Sequence, residues 1–151
     1  MGHNAHPRQR GGFVRFLGTF EHTLDERGRV AVPASFRAAF KGGGMIRPGA
    51  EGCIELYTPE AFEVEVQHRL SGEDESSRTL SARRARRSFF ADAYPVDLDA
   101  QGRIVIPPLF RAAALSDNRV AVVGCGDRLE IWANERWAAE RAAIAAEEAR
   151  A

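Results

Sequence analysis

Two loops of this chain carry the same set of reactive side chains. "DERGR" runs from Asp25 to Arg29 and "DAQGR" from Asp99 to Arg103, at an offset of 74 positions. In each, a carboxylate stands four residues before an arginine that directly follows a glycine. Gly28 and Gly102 fall where a tight turn needs positive φ or close backbone approach. Asp25 and Asp99 can accept from backbone amides inside such a turn, which makes them loop-structuring residues. Arg29 and Arg103 place a planar, permanently charged donor fork at the mouth of the turn, a group suited to phosphate oxygens or a guanine edge. Arg27 adds a second cation to the first loop. Gln101 replaces it in the second and can still hydrogen-bond a base or a phosphate. An Arg–Asp pair internal to the turn fits the same residues, and spacing alone does not choose between the two.

The duplication is wider than the loops. Of the sixteen positions from Asp25 to Phe40 and from Asp99 to Ala114, eight are identical. Beyond them the offset becomes 75, where Gly49 aligns with Gly124, Glu55 with Glu130, Tyr57 with Trp132 and Phe62 with Trp137. The one-residue slip falls in "KGGGM" against "LSDNRV", turn-forming stretches that absorb it readily. Each unit reads alike: an extended approach, the loop, a β-branched strand ("RVAV", "RIVI"), and a proline that ends the strand and opens a short helix. Phe36 and Phe40 lie on one face of the first such helix. Two further strands follow, and then a second helix, from about Pro59 to Leu70 in the first unit and from about Asn134 in the second. The intervening "SRTLSARRARRSFFADA" has helical spacing.

A unit of this size buries too little to stand alone, so two units are expected to share one core. The fold expected is α+β, mainly β. The two tandem units would form an intertwined, pseudo-symmetric β-barrel with short peripheral helices. The divisions are a flexible arm (1–12), the first unit (13–62), connecting helices (63–86), the second unit (87–137) and a helical tail (138–151).

Net charge is zero, from 21 basic and 21 acidic residues, but it is segregated. Residues 1–48 carry net +5, 49–75 net −7, 76–111 net +4 and 112–151 net −2. Positive charge therefore falls in the first half of each unit, and a fold that gathers like halves presents a basic face. Arg37 and Arg111, on the short helices, are expected in structural ion pairs or subunit contacts. The run Arg83, Arg84, Arg86 and Arg87 is expected to pair with the acidic block 49–75, within the chain or across subunits. No apolar run is long enough to span a membrane, and the first residues lack the apolar middle of a signal peptide, so a cytoplasmic protein is expected. Cys53 and Cys125 form no ligand motif and read as free buried thiols.

Together, the doubled "D-x-x-G-R-[VI]-x-[VI]-P", the Phe-Arg that follows it, and the later "ELY…F" and "EIW…W" resemble the MraZ transcriptional regulators. The units resemble the AbrB-type swapped-hairpin DNA-binding domain. The likeness covers about Phe16 to Trp137. It implies a bacterial, nucleoid-associated repressor that closes into a ring, octamer to dodecamer. It also implies binding to direct repeats in double-stranded promoter DNA, upstream of the protein's own division and cell wall operon. It places the DNA contacts on Arg29, Arg103, Arg27, Gly28, Gln101 and Gly102. Gln101, where the first loop has a basic residue, leaves open whether the two loops contribute equally. A regulator of other operons, or a ring-forming interaction protein without a DNA role, would share these features.

An enzyme is disfavoured, because the duplicated polar set is only Asp, Arg and Glu. Ser35 aligns with Leu109, and the histidines (His3, His6, His22, His68) lie outside the repeated positions. Neither cofactor nor metal site nor catalytic residue is expected, although His3 and His6 have the residue types of a chelating pair.

Overall fold

The computed structural model describes residues 14–70 and 78–151. Strands β1 (Thr19–Thr23) and β2 (Arg29–Ala31) flank the first loop, and a 3-10 helix, η1 (Ala34–Phe40), follows. Next come β3 (Gly44–Pro48), β4 (Ile54–Tyr57), α1 (Pro59–Arg69) and α2 (Leu80–Ala91). The second unit repeats the order with β5 (Tyr94–Val96), β6 (Arg103–Val105), α3 (Pro108–Ala114), β7 (Arg119–Gly124), β8 (Leu129–Ala133) and α4 (Asn134–Arg150). Thr58 and Thr79 cap α1 and α2 by accepting from Ala61 and Ala82 amides at 3.0 Å, the N-cap role short hydroxyl side chains favour. Among the described residues, no helix is long and apolar enough to cross a membrane.

The units pair with each other. β1 of the first runs antiparallel to β7 of the second, and β5 of the second to β3 of the first. β2 pairs with β6 around the Val30–Ile104 rung, and β4 pairs with β8 around Glu55–Glu130. Both rungs join residues that match in the duplication, at offsets of 74 and 75, so each marks the internal pseudo-twofold. The result is α+β: a six-stranded antiparallel sheet in the order β1-β7-β8-β4-β3-β5, with β2–β6 as a separate two-stranded ribbon. The six-stranded ladder has β1 and β5 as its edges, so its hydrogen bonds form no single closed circuit.

The main core lies between ribbon and sheet. Val30, Val32, Ile104 and Ile106 pack with Ile46, Ile54, Leu129 and Ile131. Phe36 and Phe40 of η1 both meet Phe16, at ring-centroid distances of 5.0 and 5.5 Å. The helical face expected from their spacing is present, but the turn is 3-10 rather than α. Its amides reach three residues back, as in Lys41 to the Ala38 carbonyl at 3.2 Å, and Gly42 and Gly43 follow at once, so it has no length over which to relax to α geometry. On the opposite face of the sheet, Tyr57 packs with Phe62 and Phe89, and Trp132 with Cys53 and Trp137. Both thiols are free. Burial raises both, Cys125 to about 12, which keeps them protonated.

With both sheet faces covered, β4 and β8 are buried at every position, and this sets Glu55 and Glu130 opposite each other inside the protein. Each carboxylate accepts from the aromatic two residues on: Glu55 from the Tyr57 hydroxyl at 3.1 Å, Glu130 from Trp132 Nε1 at 2.9 Å. Arg128 donates to Glu130 at 2.8 Å and lies 3.9 Å from Glu55. Arg47 reaches Glu55 at 3.5 Å and stacks over Phe89. Two buried acids and two arginines thus close the centre of the sheet. In α2, Arg83 donates to the Arg78 carbonyl and Arg86 lies over the Phe90 ring. The acidic end of the expected partner block, residues 73–75, lies outside the described residues, as do the arm 1–12 with His3 and His6.

Candidate nucleic-acid interface

Both loops have one geometry. Gly28 donates to the Asp25 carbonyl at 2.9 Å, and Gly102 to that of Asp99 at 2.9 Å. The glycines have φ of 75° and 76°, in the left-handed region that L side chains resist. Each aspartate gathers the turn around its carboxylate. Asp25 Oδ1 accepts from the Arg27 and Arg29 amides, both at 2.9 Å, and Asp99 Oδ1 from the Gln101 and Arg103 amides at 2.8 and 2.9 Å. The other oxygen takes the arginine side chain through Nε, at 2.6 Å for Arg29 and 3.0 Å for Arg103. The Arg29 amide is the largest influence on Asp25, and with the Arg29 side chain and the Arg27 amide it holds the carboxyl down at about 2. Asp99 is lowered in the same way, chiefly by the Arg103 amide.

The aspartate thus holds each arginine by its inner edge, and the question of ion pair or nucleic-acid contact has a geometric answer. A guanidinium bonded through Nε still has its two Nη groups to offer. For Arg29 no protein partner takes them among the described residues. Arg103 Nη1 lies 3.6 Å from Asp25, so the second arginine is shared between the two loops and the first is the freer. The Arg27 side chain is exposed and enters no ion pair among the described residues.

The ribbon sets the direction of both arginines. Val30 and Ile104 face the core with about 1% and 0% exposure. Strand alternation therefore turns Arg29, Ala31, Arg103 and Val105 to the outside. Arg29 stands opposite Val105 and Arg103 opposite Ala31, which makes the arginines diagonal neighbours, roughly 7 Å apart at Cβ. Their separation is about two base-pair steps of a duplex, and a two-stranded β-ribbon is one of the elements a major groove admits.

Among the described residues Arg37 and Arg111 form no ion pair, the first of the two roles expected of them. Arg37 Nε donates to the Val32 carbonyl at 2.8 Å, and its side chain lies against Gly102 of the other unit. Arg111 lies likewise against Gly28. His22 is lowered from its ordinary value, first by burial and then by the Arg37 charge. Among the described residues no cluster of His, Cys, Asp or Glu could hold a metal ion. Two features here escape a reading of the residues alone: the Arg-on-Gly contacts between units and the central Glu55–Glu130 pair. The second has a signal, a polar residue inside an otherwise apolar strand in both copies; the first has none, because it depends on how the units cross.

Comparison with known proteins decides the family. The profile described as "MraZ protein, putative antitoxin-like" matches residues 15–87 and again 89–151. The chain belongs to the MraZ family. A transcriptional regulator MraZ from Thermomicrobium roseum is 42% identical over 134 residues, covering 87% of this chain and 91% of that one. The transcriptional regulator MraZ of Herpetosiphon aurantiacus is 41% identical over 122 residues, covering 81% and 83%. That of Lactiplantibacillus plantarum is 38% identical over 122 residues, covering 81% and 84%. Transcription regulation is therefore the function class, and it is not an enzyme class.

Proposed function

We propose that this MraZ-family chain is a DNA-binding repressor that reads double-stranded promoter DNA through the outer face of its β2–β6 ribbon. The observation that carries the reading is the pair of outward arginines, Arg29 and Arg103, each held by an aspartate through Nε, which leaves for a ligand the Nη edge of Arg29 and, of Arg103, what its Nη1 does not give to Asp25. Arg27, Gln101 and the backbone at Gly28 and Gly102 complete the contact surface. The same reading takes the two units as AbrB-like swapped hairpins wound into a double-psi-like barrel, supported by the strand exchange between units. The divisions at 1–12, 13–62, 63–86, 87–137 and 138–151 follow from that reading. The chain acts in the cytoplasm at the nucleoid, self-associates into a closed ring and binds direct repeats ahead of its own division and cell wall operon. Segregated charge and exposed apolar side chains such as Leu17, Val64 and Leu109 support association.

The test is an electrophoretic shift with the protein's own upstream region at two salt concentrations. Phosphate contacts make binding weaken steeply with salt. Arg29→Ala should abolish the shift or weaken it severely, while melting temperature and oligomer mass stay at wild-type values. Arg103→Ala should do the same less severely, because Arg103 is already shared with Asp25. A wild-type protein that shifts only unrelated promoters would be a regulator of other operons. One that shifts no DNA would be an interaction protein.

A further inference from the structure

We propose that Arg37 and Arg111 are positioning residues that lock the recognition loop of the opposite unit, Arg37 on the loop of Arg103 and Arg111 on the loop of Arg29. The proposal rests on the DNA-binding reading above for its consequence, but on contacts of its own for its geometry. A Cβ added at Gly28 would lie 2.7 Å from Cζ, Nε and Nη1 of Arg111. One added at Gly102 would collide with Arg37 Nε and lie 2.5 Å from its Cδ. Both guanidinium groups therefore press on a glycine Cα, in space that only glycine leaves open. Those glycines immediately precede Arg29 and Arg103.

A closed circuit fixes the Arg37 contact. Arg37 Nε donates to the Val32 carbonyl at 2.8 Å, and the Val32 amide donates to the Gly102 carbonyl at 2.9 Å. The Ile106 amide donates to the Gly28 carbonyl at 2.8 Å. Each loop glycine is thus pinned at its carbonyl by a strand of the other unit and covered on its face by that unit's arginine. The two braces differ in one respect: Arg111 Nε is buried with no hydrogen-bond partner, so Arg37 is the more firmly seated. A charged group in this place would ordinarily be read as a phosphate contact. For Arg37, the Nε spent on the Val32 carbonyl and the side chain laid against the Gly102 backbone give it another role. It holds the residue that precedes the contacting arginine, so that the arginine's fork enters the groove already oriented.

The two roles separate under paired substitutions in the full chain. Arg37→Gln loses the charge but keeps a planar group and a donor at the Nε position. Arg37→Lys keeps the charge and loses both. Hydrogen exchange read on segments 97–105 and 24–31, which leave out the Val32 and Ile106 amides that bond across the units, reports the brace without DNA. Arg37→Lys and Arg37→Ala should speed exchange in 97–105 and leave 24–31 unchanged, with Arg37→Gln near wild type. In the shift assay Arg37→Lys should bind upstream DNA about tenfold more weakly, with an unchanged salt slope, and Arg37→Gln should bind nearly as wild type. The reverse order, Lys binding and Gln failing with a shallower slope, would mean a direct phosphate contact and overturn the proposal. Equal behaviour of Gln and Lys would overturn it, as would faster exchange in 24–31 instead of 97–105. If wild type binds no DNA, the function proposed above fails, and the exchange experiment still decides the brace.

Discussion

Arg29 divides its guanidinium between two directions: Nε belongs to Asp25 at 2.6 Å, and the Nη pair faces outward. Asp25 therefore orients the fork and also opposes it, since a carboxylate beside DNA repels phosphate. Asp25→Asn separates the two effects. The asparagine oxygen can still accept the Arg27 and Arg29 amides, but its NH2 meets Arg29 Nε donor to donor. Affinity for random duplex should rise with the lost negative charge, and discrimination for the upstream repeats should fall. Competition binding with specific and random DNA measures both, and unchanged discrimination would show that Asp25 does not aim the arginine. Acid should act through the same carboxylates. Their folded values are depressed, so the stability they contribute is complete above the unfolded value near 4 and is lost as pH falls below it, for Asp25 toward about 2. Loop exchange rates should therefore be flat from pH 7 to 5 in the absence of DNA, after correction for intrinsic exchange, and rise below pH 4. Much of this site was legible in the residues: Asp, Gly and Arg at fixed spacing specify the turn. Which edge of the arginine the aspartate takes was not, because both alternatives use the same residues.

At the scale of elements, the glycines show how a local rule and a non-local one coincide. Gly28 and Gly126 both have positive φ, 75° and 81°, but only Gly28 faces a neighbour; a Cβ at Gly126 would meet nothing within 4 Å. Gly126→Ala should cost only the backbone term, about 1–2 kcal/mol. Gly28→Ala should cost more, because Arg111 must also move. Thermal melting of the two variants checks this, at roughly 2–4 °C per kcal/mol for a chain of this size. The positive φ could be inferred from the turn; the covering arginine comes from the other unit and could not. The central strands make the same point. "CIELY" and "LEIW" read as strands, but their lack of alternation has its cause in helices packed on the far face, which no strand pattern encodes. The cost of that double burial is a like-charged pair, Glu55 opposite Glu130, held by Arg128 and Arg47. Arg128→Ala leaves the pair undercompensated and should destabilise by about 3 kcal/mol, at the low end for a broken buried pair because the arginine is partly exposed. Adding Glu130→Gln should recover part of the loss. A variant with wild-type denaturant stability would show that Arg128 is not what holds the pair.

The whole molecule is two incomplete units that finish each other: β1 needs β7, β5 needs β3, and the recognition ribbon takes one strand from each. One consequence is that a single subunit presents Arg29 and Arg103 on one face, so under the proposed function it would bind a short DNA segment and no more. Several such faces in a closed assembly would meet several repeats at once, and the second contact would then form at the effective concentration set by the first. Light scattering should accordingly give a mass many times 16.6 kDa, and a monodisperse monomer would contradict it. Given the assembly, affinity for upstream DNA should depend on repeat number far more steeply than in proportion. Cutting the target from several repeats to one should lower affinity by a factor of about 100 or more, the scale on which linked sites exceed single ones. Changing the spacing by half a helical turn should lower it similarly, because neighbouring repeats would then face opposite sides of the duplex. In such an assembly Arg29→Ala would act on every face, so its penalty should shrink on the one-repeat target, where only one contact is lost. A penalty equal on one repeat and on many would mean that each subunit binds independently, and the ring would then contribute nothing to recognition.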